Sequence, residues 1–89
     1  MAVVFIPSLM RNLTGGVDRV EIPGATLRQV VNNLEAAHPG MKARLMDGSG
    51  QFQEGLAVAI NGETTHMGLL EPVEDATEIH FIPAIGGGR

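Results

Sequence analysis

The most unusual chemistry in this 89-residue chain stands at its end, where Phe81-Ile82-Pro83-Ala84-Ile85 runs into Gly86-Gly87-Gly88-Arg89. Consecutive glycines bury nothing and lose the most freedom on ordering, so a fold has no use for them. Backbone without Cβ atoms can instead enter a channel too narrow for side chains. Fully extended, Ala84 to Gly88 spans about 17 Å, at roughly 3.3–3.6 Å per residue. Two readings stand: a frayed terminus, since disorder concentrates at chain ends, and a segment threaded into a partner.

The other reactive side chains form no constellation. His38, His66 and His80 lack metal-ligand spacing, so no metal site is expected. Glu71, Glu74 and Asp75 read as a solvated acidic loop, because nothing nearby would bury one of them and raise its pKa. Ser8 and Ser49 have no neighbouring base and no nucleophile-elbow sequence. The glycine run precedes no helix, so it is not a phosphate-cradling loop. There is no cysteine, which excludes a disulfide framework, a thiolate metal site and a thiol nucleophile. The five methionines read as core and loop filling. The expectation is a protein with no catalytic residues and no bound cofactor.

Composition supports a single small globular domain: 44% hydrophobic, 18% charged. A net charge of −4 argues against an electrostatic nucleic-acid surface; an acidic surface suits a basic protein partner or simply solubility. No apolar run reaches membrane length and the start lacks a basic leader, so neither a membrane span nor a signal peptide is expected and the cytoplasm is the expected compartment.

The elements that must carry the tail follow from periodicity. Val3-Val4-Phe5-Ile6 reads as a strand buried largely on both faces and closed by Pro7. Ser8 to Gly16 reads as a connection. Val17 to Ile22 alternates, with Val20 and Ile22 inward and Arg19 and Glu21 outward. Thr26 and Gln29 match a capping box. Behind it Leu27, Val30, Val31, Leu34 and Ala37 form one stripe of a helix over 27–38, which Pro39-Gly40 ends. Met41 to Leu45 suits a short helical turn. Leu56, Val58 and Ile60 face the helix, and Ala57 and Ala59 face away. Asn61-Gly62 predicts a type I′ turn into a short edge strand over 63–66. Leu69-Leu70 suggests a brief helical turn. The last strand is expected over 77–82, with Ile79 and Phe81 inward and pairing stopped at Pro83, which has no amide hydrogen. With Phe5 also set inward, Val4, Ile6 and Ile82 are expected on the open face, an uncovered apolar patch of the kind that marks interfaces. The fold expected is α+β, a mixed four- to five-stranded sheet with one helix across one face. Its arrangement fits the β-grasp, with the first and last strands parallel neighbours. Residues 1–83 form the domain and 84–89 the tail.

Several stretches together resemble a known family. They are the Val3–Ile6 opening, Leu34-Glu35-Ala36-Ala37-His38-Pro39-Gly40 at the helix end, Ile60-Asn61-Gly62-Glu63, and Glu78-Ile79-His80-Phe81-Ile82-Pro83-Ala84-Ile85 leading into glycines. The chain is similar, over nearly its whole length, to the small sulfur-carrier proteins of the ThiS/MoaD type, relatives of ubiquitin. The resemblance implies that Gly87-Gly88 is the terminal diglycine, with Gly86 and Gly87 read by a partner. The Gly88 carboxylate would be adenylated with ATP by a ubiquitin-activating-like enzyme, and a sulfur donor would convert it to a thiocarboxylate for an acceptor biosynthetic enzyme. The family's active form ends at the second glycine, so Arg89 departs from the pattern and implies a C-terminal peptidase that removes it. The resemblance also implies docking through an apolar residue at the Ile82 position. Conjugation of Gly88 to lysines, as a ubiquitin-like modifier, uses the same activation and stays open. So does a β-grasp binding module with a passive tail.

Overall fold

A computed structural model describes residues 1–65 and 67–82 in full and Pro83 by its backbone. Five strands make one mixed sheet: β1 (Ala2–Phe5), β2 (Arg19–Ile22), β3 (Leu56–Ile60), β4 (Glu63–Thr64) and β5 (Glu78–Pro83), in the order β2-β1-β5-β3-β4. β1 and β5 run parallel, with Val4 opposite Ile79; the other pairs are antiparallel. The last strand is therefore the central one. The ladder extends a residue past the expected stop, with Leu56 opposite Pro83. A proline is tolerated where its missing amide is not asked for by the ladder.

Helix α1 (Leu27–Ala37) covers one face of the sheet with Leu27, Val30, Val31 and Leu34, all essentially inaccessible to solvent. Ala37, expected on that stripe, is exposed as the last residue of the helix. The N-terminus is capped almost as expected. The Thr26 hydroxyl accepts the Gln29 amide, but the Gln29 side chain reaches one residue further back and accepts from Ala25. The Leu27 amide, orphaned at the helix start, finds the Glu71 carbonyl at 2.9 Å. Gly24 makes the entry possible: its φ is 153°, and a Cβ there would stand 2.9 Å from the Val30 amide nitrogen.

A second helix, α2 (Met41–Leu45), buries Met41 and Leu45 completely and closes one end of the core. Glu35 fastens it. Its carboxylate accepts the Gly40 amide at 3.2 Å and the Lys42 amide at 2.8 Å. Between β1 and β2 the expected plain connection is a 3₁₀ helix, Ser8–Thr14, which buries Met10 and Thr14. Asn61 and Gly62 both take positive φ (51° and 90°), as the type I′ turn requires, and β4 returns for two residues. Asn61 also ties the turn to the central strand: its amide donates to the Glu78 carbonyl and its side-chain oxygen accepts the Glu78 amide, both at 2.8 Å.

The phase of β1 differs from the expected one. Ala2, Val4 and Ile6 point into the core, and Val3 and Phe5 lie half-buried on the open face. Val4 and Ile6, at 0% and 2% exposure, are thus core residues and offer no docking surface. The parallel register is the cause: Val4 stands beside inward Ile79, and Phe5 beside outward His80.

Candidate functional site

β5 delivers the chain to its tail, and its alternation divides its side chains. Ile79 and Phe81 go to the core, where full burial of such a side chain contributes about 1.5–3 kcal/mol. Glu78, His80 and Ile82 go to the face that α1 leaves open. On that face the His80 ring stacks on Phe5, with centroids 4.1 Å apart and planes 8° from parallel. A Glu78 carboxylate oxygen lies 3.7 Å from the His80 Nε2. Ile82 stands opposite Ala57 and His80 opposite Ala59. The small alanine side chains leave Ile82 standing proud, half of its surface in solvent.

Beside these residues lies a shallow cleft of about 250 Å³, lined by Phe5, Pro7, Arg11, Asp18, His80 and Ile82. The Arg11 Nε donates to the Ile6 carbonyl at 3.0 Å, which anchors the guanidinium at the rim. The surface is thus apolar at its centre, with one cation and one anion on its margin. That make-up suits a protein surface better than a small ion. It adjoins Pro83, the last described residue before the tail. The groove of about 310 Å³ lined by Arg28, Asn32, Lys42, Met46 and Leu69 lies on the helix layer instead, away from β5's open face.

Ile82 is therefore where the sequence placed it, on the open face. Gly86, Gly87, Gly88 and Arg89 lie outside the described residues, as does His66. Phe5, Arg11 and His80 join Ile82 in the cleft; the outward place of His80 follows from the alternation of the last strand, whereas Phe5 was expected in the core and Arg11 in a plain connection. Among the described residues, no group of three or more His, Cys, Asp or Glu is placed to hold a metal ion, and no helix is long and apolar enough to cross a membrane. The acidic loop is dispersed. Glu71 accepts the Thr65 hydroxyl, while Asp75 pairs with the Met1 amino group. Three carboxyls are held below their ordinary values. Glu35 is lowered by the Lys42 and Gly40 amides, Asp47 by the Ser49 hydroxyl and amide, and Asp75 by the Met1 amino group. All three serve as anions that fasten loops and the chain start.

Five strands in this order, with a long helix across one face and the C-terminal strand at the centre, define the β-grasp of ubiquitin-like proteins. The chain belongs to the ThiS family, whose model matches residues 4–88. It is 35% identical over 89 residues to the sulfur carrier protein CysO of Mycobacterium tuberculosis, covering 96% of each chain. The crystal structure of that protein matches with a TM-score of 0.90 at 32% identity, over 96% of this chain and 100% of the other. A chain of the Amycolatopsis orientalis BexX/CysO complex matches with a TM-score of 0.90 at 33% identity, over 99% and 100%. SAMP1 from Haloferax volcanii matches with a TM-score of 0.75 at 26% identity, over 98% of each chain.

Proposed function

We propose that this chain is a sulfur carrier that works through its C-terminal glycine. The observation that carries the reading is the family match, which runs through the glycine tail and ends at Gly88, with sulfur carriers among the relatives. A Gly88 carboxylate oxygen attacks the α-phosphorus of ATP in a ubiquitin-activating-like partner, and pyrophosphate leaves. The acyl-adenylate now has a good leaving group. A sulfur nucleophile attacks the acyl carbon, AMP departs, and once the donor has released its sulfur a thiocarboxylate remains on Gly88. An acceptor biosynthetic enzyme then takes that sulfur. The carrier is a cosubstrate of these enzymes and brings no catalytic group of its own.

Two features of the chain support the roles. While Arg89 is attached, Gly88 carries an amide and has no carboxylate to activate, so a peptidase must first remove Arg89 and anything beyond it. Gly86 and Gly87 allow close approach of the nucleotide to the backbone. The open face around Ile82, Phe5 and His80 docks the body on the partner while the tail reaches inside.

The test is intact-mass analysis of the protein purified from its native cell. Loss of Arg89 together with the mass gain of one sulfur replacing one oxygen is the expected result. A chain that keeps Arg89 even after incubation with host lysate and ATP overturns the carrier reading in favour of a binding module. SAMP1, a small archaeal modifier protein, shares the fold, which keeps conjugation as a second reading. Adducts joined from Gly88 to lysine amines, with no thiocarboxylate, would favour it.

A further inference from the structure

β2 forms one rim of the sheet and pairs only with β1. In an antiparallel ladder, successive residues turn their backbone groups alternately toward and away from the neighbour. The Ile6 amide donates to the Asp18 carbonyl at 2.8 Å, which sets the phase. Asp18, Val20 and Ile22 turn toward β1, and Arg19 and Glu21 turn their N–H and C=O groups outward. No turn or loop backbone among the described residues bonds to those outward groups. A rim of this kind is a template for another strand. The opposite rim, β4, is two residues long and offers much less.

The side chains on the β2 rim are complementary to themselves. Arg19 and Glu21 are both exposed, on the same open face, and outside the Met1–Asp75 ion pair and the Glu78–His80 contact that the described residues make. Let a second copy approach antiparallel with a twofold axis through Val20. Arg19 then faces Glu21 of the second copy, and Glu21 faces its Arg19. These are also the positions whose backbone groups point outward, so four backbone hydrogen bonds close together with two charge pairs. The half-buried Val20 meets its own copy on the helix side. Moving the axis to Arg19 or to Glu21 sets like charges face to face, so the charges select one register. A rim guarded by charge alone has no need of this order of signs.

We propose that the chain self-associates through β2 as a twofold dimer, joining two five-stranded sheets into one. β5 lies two strands away from this rim, so Ile82 and the cleft beside it stay clear of the contact in both copies. This inference does not depend on the sulfur-carrier reading. The contact is smaller than a standard interface, so the association is weak.

Sedimentation equilibrium of the full chain up to about 1 mM tests it. The wild type is expected to dimerise. Arg19→Glu and Glu21→Arg should each weaken association about tenfold, because each replaces two attractive cross-strand pairs with two repulsive ones. An equimolar mixture of the two variants should recover the wild-type level, since every crossing again sets opposite charges together. Glu21→Pro should abolish dimerisation by removing an outward amide that the β1 ladder does not use. Amide spectra confirm that each variant is folded, and the two charge variants, on exposed side chains, decide the matter if the proline variant is not. A wild type that stays monomeric overturns the proposal. So does association indifferent to the charge variants, or a mixture that fails to recover.

Discussion

The two faces of the sheet are made by the same strands and do opposite work. On the covered face, Val4, Ile79, Phe81 and Leu34 are closed to solvent within one core. On the open face, one position away along β5, Ile82 keeps half its surface exposed and His80 stacks on Phe5. The central strand thus turns alternate residues to the core and to the open face, as the two-residue period of a strand allows. The difference teaches that hydrophobicity alone does not report a residue's role here. Ile79 and Ile82 are the same residue on the same strand, and what separates them is which side α1 occupies.

The largest effect is expected from Leu34→Ala. Leu34 has no exposed surface, and truncation leaves a cavity under α1 that costs about 2–5 kcal/mol, measured by urea unfolding. A loss below about 1 kcal/mol would break the comparison, because the covered face would then not be close-packed. Ile82→Asp comes next and should behave in the opposite way. Stability should stay within about 0.5 kcal/mol of wild type, while binding to the activating partner, followed by ATP-dependent adenylation of the processed chain, should fall about tenfold or more. If Ile82→Asp instead destabilises the fold and leaves adenylation intact, the open face is not a docking surface.

The smallest effect concerns the fastening of the covering layer. The Lys42 and Gly40 amides hold the Glu35 carboxyl below its ordinary value. A depressed carboxyl stabilises the folded state fully above the ordinary glutamate range, and that contribution is lost as pH falls through the depressed value. Acidification should therefore lower the hydrogen-exchange protection factors, corrected for the intrinsic pH dependence of exchange, at Gly40 and Lys42 first, before the core opens. In Glu35→Gln that pH dependence should disappear. Equal acid sensitivity in both proteins would mean that the Glu35 contacts do not hold α2.

Much of the architecture was legible because local chemistry dictates it. Thr26 and Gln29 announce the helix start, Asn61-Gly62 demands positive φ at both turn positions, and Arg19–Ile22, the part of the expected 17–22 strand that forms, alternates. The inward set on β3 and β5 could be read for the same reason. β1 could not be phased this way. Ala2-Val3-Val4-Phe5-Ile6 is apolar throughout, so no alternation marks its two sides, and setting Phe5 inward had no polar neighbour to contradict it. The 3₁₀ helix over Ser8–Thr14 carries no periodic signal of its own. The cleft drew on both failures, since Phe5 belongs to the first and Arg11 to the second.

By itself, then, the sequence determined the strands and the long helix, the hairpin turn, the helix face and the glycine tail, because each rests on neighbours within a few residues. Only the tertiary structure decided which side of β1 is inside. That choice depends on the pairing of Val4 with Ile79, residues far apart in the chain that meet only when the parallel ladder forms. It moved Val4 and Ile6 into the core, brought Phe5 against His80, and left Ile82 on the open face beside the start of the tail.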